Sequence, residues 1–461
     1  MSHDTPFSRP LPLLEQPQQA MTALLTQVQD SHPLTTPQSE LVVVKRGRPA
    51  RLSALMLAHG IVWCLLHGWR SQLALWRHLV LGFGSFVGVQ ISDQAVYKRL
   101  AQDAGMVMQQ LCTQVTDWLG TWLAPYEDRS LAPFATNVYA LDECSLKARK
   151  RWAAELFGVP RGDDRLLGGK CCCVMDLRRQ LIHSVLRLPA ELSKDQTHSK
   201  PLVEQLPRWS LVLFDLGFFS LEWFDHLSEL GLWWISRIKH NTSYHTEHVL
   251  VERDGYYEAL VFLGAYRSDR SAYLYRLVKV RYRGRWYRYV TNQTDFTRLS
   301  GADVVRLYAR RWDIELSFRL LQDHLQLRML WSAKPQVIEV QIWATFVLVQ
   351  LYHALQVCLA AQLGVDTFDI SLDLLVHYLP ELHQQAQRRR CSLTDLIKQV
   401  GEPLGLVRPH TRLHIQVPLL ALHEIQWPPA TLVWRREPRH AHKQKGGQAS
   451  SKASQNASSP N

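Results

Sequence analysis

Between residues 136 and 238 the apolar positions change period in a fixed order, and that order restricts the fold more than any other feature of the chain. Residues 138–141 (VYAL) form a short, continuous apolar run of strand type. Residues 170–176 (KCCCVMD) and 181–188 flank a turn at 177–180 and read as a hairpin. A helix over 190–206, open to a break at Pro201, leads into a second buried run at 211–214 (LVLF). A helix over 220–230 stopped by Gly231, then a strand over 232–238 (LWWISRI), complete the series. Three strands, then helix, strand, helix and strand, bury their apolar faces most simply as a mixed sheet covered by helices.

Both buried runs end directly in a carboxylate, Asp142 and Asp215. An acid at the end of a central strand sits where the backbone leaves the core, so it is held in place and still reaches solvent or a ligand. Taken singly, each is equally a turn or helix-capping aspartate. A third acid lies in residues 308–330 (YARRWDIELSFRLLQDHLQLRML), which read as one amphipathic helix without Gly or Pro. On a 3.6-residue period Tyr308, Arg311, Glu315, Arg319 and Gln322 share a face. One carboxylate among two cations is either a surface pair of Arg311 with Glu315, worth about 0.2–0.5 kcal/mol, or a group that holds a metal ion beside a phosphate. The two strand-end aspartates upstream favour the second reading.

At these residues the chain resembles the DDE transposases of bacterial insertion sequences. The 308–330 segment is similar to their Tyr-x2-Arg-x3-Glu-x6-Lys signature, with Tyr308, Arg311 and Glu315 in register. LVLFDLGFFS (211–220) resembles their Asp-x-Gly-Phe-Tyr-Ser segment, and YALDECSLKA (139–148) resembles the strand-Asp-x-(Ser/Thr) segment more loosely. The run RYVTNQTDFTRLSGADVVRLYARRWDIE into the acidic helix is also similar, so the likeness covers residues 139–335. One position departs: Gln322 stands where the signature has Lys. Either Arg319, one turn earlier on that face, supplies the missing charge, or this copy is impaired.

The resemblance implies catalytic and metal-binding roles for Asp142, Asp215 and Glu315, with two Mg2+ or Mn2+ ions held by hard oxygen donors. It implies phosphate positioning by Tyr308 and Arg311, and by Arg319 or Gln322. The partners it implies are double-stranded DNA, both terminal inverted repeats and target, bound by a synaptic dimer. The expected reaction is cleavage at the element ends followed by transfer of the 3′-OH strands. The order of elements, which owes nothing to the motif, is that of the ribonuclease H-like fold, in which the first and fourth strands are neighbours. The expected fold class is therefore α/β, a ribonuclease H-like core with an inserted antiparallel β domain and an N-terminal helical domain. Two rival readings stand: a catalytically impaired, element-derived DNA-binding protein, and a nuclease of the same fold.

The flanks divide by composition. Residues 1–44 are Pro- and Gln-rich and read as a disordered leader, while 45–125 read as a helical DNA-binding domain opened by a basic arm, KRGRPAR. Arg46 and Arg48 of that arm either line a minor groove or belong to a basic linker. Within the helical part Ser92 is the expected N-cap of a helix with Asp93 in its first turn, Ala95, Val96 and Leu100 inward, and Gln94, Tyr97, Lys98 and Arg99 outward. That is the pattern of a recognition helix or of a bundle with a basic face. Residues 126–238 form the first part of the core.

Residues 239–299 alternate aromatic, apolar and basic residues as antiparallel β, with turns at Asp254-Gly255 and Arg283-Gly284. Their strand face carrying Arg281, Arg283, Arg285, Trp286, Tyr287 and Arg288 either tracks a nucleic-acid backbone, with Trp286 stacking a base, or is merely solvated. His240, His245 and His248 lie nearby without a fourth metal ligand. Residues 300–434 form the second part of the core, and 435–461 a disordered basic tail. Residues 337–365 are apolar but interrupted by Glu339, Gln341, Gln350, His353, Gln356 and Gln362, which favours a buried helix and no membrane partner. A net charge of +12 with a pI near 9.4 suits a polyanionic partner, and eight cysteines without a CxxC pair read as reduced thiols in a cytoplasmic protein.

Overall fold

The computed structural model describes residues 52–436, apart from 53, 70, 83–87, 103, 147–156, 161–167, 189–194, 265–269, 326, 328, 410–414, 416, 418 and 419. The leader, the arm with Arg46 and Arg48, and the tail beyond 436 lie outside the described residues. Four helices open the described chain: α1 (Ala54–Leu66), α2 (Gln72–Leu81), α3 (Asp93–Leu100) and α4 (Ala104–Trp122). Then come β1 (Val138–Ser145), β2 (Lys170–Asp176), β3 (Leu181–Leu188), α5 (Asp195–Val203), β4 (Leu211–Phe214), α6 (Leu221–Glu229) and β5 (Trp233–Arg237). Four long strands follow, β6 (Tyr244–Arg253), β7 (Tyr256–Leu263), β8 (Tyr275–Tyr282) and β9 (Arg285–Thr291). The chain continues through α7 (Gly301–Ala309), α8 (Trp312–Arg319), α9 (Pro335–Leu363), α10 (Leu372–Arg389) and α11 (Leu393–Val400).

The chain divides into two compact units. The first comprises Met1–Ser130, Ala140–Ser193 and Trp312–Arg412; the second comprises Leu131–Tyr139, Lys194–Arg311 and Leu413–Asn461. In the first unit β2 and β3 pair antiparallel from Lys170↔Leu188 to Asp176↔Leu181, with β1 on the other side of β2. The core of this unit is α9, against which α1 and α4 pack. By composition α9 is long and apolar enough to cross a membrane, yet 94% of its apolar window is buried inside the protein. Gln341, Gln350 and Gln356 on this helix are buried, and each makes a side-chain hydrogen bond to backbone. Gln341 accepts from the Trp331 amide (2.9 Å) and donates to Met329 O (2.9 Å). Gln350 bonds both Ile182 N (2.9 Å) and Ile182 O (2.6 Å), and Gln356 donates to Ile370 O (2.8 Å). A polar group inside a core is tolerated when it is satisfied in this way.

In the second unit the first residues of β1 lie beside β4, through Thr136 N to Trp209 O (3.0 Å) and Leu211 N to Asn137 O (2.8 Å). From β4 the order is β5, β9, β8, β7, β6. β4 and β5 are parallel, with Phe214↔Ser236 in register, and β5 pairs antiparallel with β9 through Ser236↔Val290. The inserted strands therefore extend the sheet. Positive φ angles at Arg283 (48°) and Gly284 (75°) match the twist of the tight β8–β9 turn. Beneath the sheet Phe224 stacks on Trp234 at 4.4 Å, and the Tyr275 hydroxyl donates to Asp225 at 2.6 Å, which anchors α6. Arg276 and Glu258, 0% and 2% exposed, form a buried ion pair. Tyr256 OH also donates to Glu258 (2.8 Å), and Arg276 donates to Leu299 O (2.5 Å). A Cβ on Gly301 would run into the Tyr256 hydroxyl, so a side chain there would have to displace the ring that donates to Glu258.

Several sequence expectations need correction. The strand expected to end at Asp142 continues to Ser145, because the ladder to β2 runs on as far as Leu146 N to Gly169 O (2.9 Å). The expected single helix over 308–330 is broken. Backbone bonds tighten at Arg310 N to Leu307 O (2.9 Å) and Arg311 N to Tyr308 O (3.1 Å), and α8 then passes into a π turn, Leu320–His324, closed by Leu325 N to Leu320 O (2.9 Å). The buried set shifts from Val304, Leu307 and Tyr308 to Asp313, Ile314, Ser317 and Phe318, so no one apolar stripe spans both helices. Pro201 lies inside α5 without ending it. Ala95 is exposed, since Val96 and Leu100 alone define the buried stripe of the short α3.

Candidate functional site

Each unit assembles part of the residue set that the sequence singles out. In the second unit Asp215 directly follows β4 and caps a 3-10 turn, its Oδ1 accepting from Gly217 N at 2.8 Å. The parallel neighbour β5 is in register one residue earlier and ends in Arg237, so a cation stands next to Asp215 at the edge of the core. Tyr308, on α7, is buried, and the Arg311 guanidinium lies 5.8 Å from its ring centroid. Burial pushes the Tyr308 hydroxyl up to about 12, while Arg311 and Arg237 pull it down and Asp215 pushes it up. Tyr308 thus lies within electrostatic reach of Asp215, Arg311 and Arg237. Arg237 was not singled out from the sequence. Its one signal is an arginine ending an apolar strand whose parallel neighbour ends in an aspartate.

In the first unit Asp142 lies half-buried within β1, its Oδ1 accepting from Glu143 N at 2.8 Å. Glu143 turns to the other face of the strand and pairs with Lys170 at 3.0 Å. Cys144 shares the face of Asp142, and burial raises its thiol to about 11, a shift that Gln322 opposes and Asp142 strengthens. Gln322 Nε2 lies 2.7 Å from Cys144 Sγ and 3.1 Å from Ser145 O, so the π turn is tied to the strand that carries Asp142. Glu315 is half-buried in the first turn of α8. Asp313 and Ser317, on the opposite face, are buried: Asp313 accepts from Gln180 (3.1 Å), and Ser317 meets His353 Nε2 (2.9 Å). Arg319 is exposed at the end of α8.

The other singled-out residues lie on surfaces. Ser92 caps α3 as expected, accepting from Ala95 N at 3.3 Å, and Gln94 and Lys98 are exposed while Arg99 is half-buried. Trp286 is 45% exposed at the start of β9, next to exposed Arg285. Arg281 is engaged by Asp254 at 2.9 Å, and Arg288 by the carbonyl of His240. Of the histidines near the insertion, His248 is bonded to Gln426 O (2.8 Å) and His245 pairs with Glu247.

Asp142, Asp215 and Glu315 offer only carboxylate oxygens, and two of the three already have one oxygen fixed by a backbone amide. That donor set fits a hard divalent cation and suits zinc poorly.

Residues 135–351 match the family described as the transposase DDE domain. Transposase InsG for insertion sequence element IS4 of Escherichia coli (strain K12) is 25% identical over 259 residues, or 53% of this chain and 57% of that protein. The chain thus matches a little over half the length of that relative. A cryo-EM structure of a piggyBac transposase synaptic complex with hairpin DNA aligns over 89% of this chain and 86% of that one, at 10% identity and a TM-score of 0.36, a likeness that carries no argument. The sequence matches define a class for residues 135–351: this segment is similar to the DDE domain of transposases. Within that class the likeness to InsG supports a relative of the IS4-like insertion-element transposases.

Proposed function

We propose that the chain cleaves the ends of an IS4-like insertion element and transfers the freed 3′-OH strands to target DNA, using Asp142, Asp215 and Glu315. The observation that carries the reading is the coincidence of the matched DDE domain, residues 135–351, with three half-buried carboxylates on β1, after β4 and on α8. The strand order β3, β2, β1 in one unit and β4, β5 after the start of β1 in the other supports a ribonuclease H-like core.

The three carboxylates would hold one or two Mg2+ or Mn2+ ions. Bound divalent cations activate an attacking oxygen and neutralise charge on the leaving one. Arg311, supported by the Tyr308 ring, orients a phosphate by charge-assisted hydrogen bonds, and Arg237 adds a second cation beside Asp215. Arg319 and Gln322 meet the next phosphate. Arg46 and Arg48 follow a minor groove, Gln94, Lys98 and Arg99 present a recognition surface, and Trp286 stacks an unpaired base. Two copies act together on paired element ends in the bacterial cytoplasm, at the nucleoid.

The test is incubation of the purified full-length protein with labelled terminal repeats and Mg2+. Nicking at the repeat end that disappears in Asp142→Ala, Asp215→Ala and Glu315→Ala, with DNA binding retained, supports the proposal. Gln322 at the signature Lys position favours a second reading, a protein that binds ends without cutting them. Binding without nicking by the intact protein would establish that one instead, and cleavage without preference for the repeats would point to a nuclease of the same fold.

A further inference from the structure

Two residues beyond Gln322 the π turn presents His324 to the start of α10. His324 Nδ1 lies 2.9 Å from Asp373 Oδ1, and His377 Nδ1 lies 3.1 Å from the same oxygen. Asp373 and His377 stand four residues apart on one face of α10. One potential ligand atom from each of the three residues falls within 4.8 Å of the other two, and the two imidazole rings meet edge to face at 5.7 Å.

We infer that His324, Asp373 and His377 form a site for a transition-metal dication of the zinc class, chemically distinct from the carboxylate set of the proposed reaction. Two imidazoles and one carboxylate are a common zinc donor set and a poor one for magnesium, which prefers oxygen and keeps its waters. Zinc–ligand bonds of about 2.0–2.2 Å in a tetrahedron place neighbouring ligand atoms roughly 3.3 Å apart. The observed separations of 2.9 and 3.1 Å reach that spacing if the side chains open by a few tenths of an ångström. Both Nδ1 atoms now meet Asp373 Oδ1, and His377 Nδ1 also lies 2.8 Å from the Asp373 carbonyl, so an entering cation would exchange these contacts for bonds to deprotonated ring nitrogens. His324 is half-buried while Asp373 and His377 are exposed, so an ion can enter and a water can take the fourth position. The bound ion would clamp α10 onto the π turn, and through it would restrain Gln322 against Ser145 and Cys144.

The inference does not depend on the proposed transposition chemistry, and its test uses no DNA. Untagged full-length protein, stripped by a chelator, is titrated with Zn2+ in competition with a chromophoric chelator, and its melting temperature is measured with and without Zn2+. The expected result is one bound equivalent that excess Mg2+ does not displace, together with a Zn2+-dependent rise in melting temperature. His324→Ala and His377→Ala each weaken that equivalent by at least about tenfold and abolish the rise, while His383→Ala, on the same helix outside the cluster, changes neither. His377→Gln, which keeps the volume and polarity of the site, behaves as His377→Ala if folding of the alanine variant is in question. Zn2+ binding unchanged in the folded variants, displacement by Mg2+, or no bound equivalent in the wild type would overturn the inference.

Discussion

Gln322 donates its side-chain amide to the backbone carbonyl of Ser145 at 3.1 Å, joining the π turn to the strand that carries Asp142. A lysine at this position, as in the signature that the helix resembles, could donate to the same carbonyl. Gln322→Lys is therefore expected to keep the melting temperature and to raise the rate of end cleavage, because it adds a cation near the proposed phosphate. Gln322→Ala is expected to lose about 0.5–1.5 kcal/mol of stability. Side-by-side cleavage time courses decide the first point, and a slower Gln322→Lys protein would show that the amide is the better group here.

Gln350 holds both backbone groups of Ile182 from inside α9, at 2.9 and 2.6 Å. Gln350→Leu leaves a buried N–H and a buried C=O without that partner. Urea denaturation should show a loss of about 2–4 kcal/mol. A neutral result would mean that β3 finds another partner at no cost.

Arg276 and Glu258 form a buried ion pair. Removing one leaves the other as an isolated charge in the core, so Arg276→Met is expected to cost about 3–5 kcal/mol, and pairing it with Glu258→Leu should recover most of the loss. Equal losses in the single and double variants, read from the same denaturation curves, would contradict this.

His353 is buried on α9 against Ser317, and burial lowers its pKa from 6.5 to about 4. The unfolded chain takes up this proton near pH 6.5 and the folded chain only near 4, so stability falls as pH drops through that window. Between pH 7 and pH 5 the share of His353 is about 2 kcal/mol, from 1.36 kcal/mol per pKa unit. His353→Gln can keep the bond to Ser317 and should flatten the decline in stability over this range by about that amount. Parallel slopes for the two proteins would remove His353 as the cause.

Local features were legible without the fold. The hairpin turn at 177–180, the Ser92 cap, the turn at Gly284 and the burial of α9 all follow from residue type and period within a few positions. What escaped was non-local. The pairing of β9 with β5, which extends the sheet through the insertion, joins residues far apart in sequence. Arg237 becomes a neighbour of Asp215 only through parallel pairing of β4 and β5, and His324 meets Asp373 only because α8 ends in a π turn.

The sequence by itself determined the type and approximate place of most strands and helices, that Asp215 follows a buried strand, and which family the motifs resemble, because those depend on side-chain period and chemistry along a few turns of chain. Only the tertiary structure decided that β1 runs past Asp142, that the signature helix breaks at Arg310, and that α1 and α4 pack on α9 within one compact unit. Those outcomes depend on which distant backbone groups and apolar faces find each other, and no local period encodes that choice.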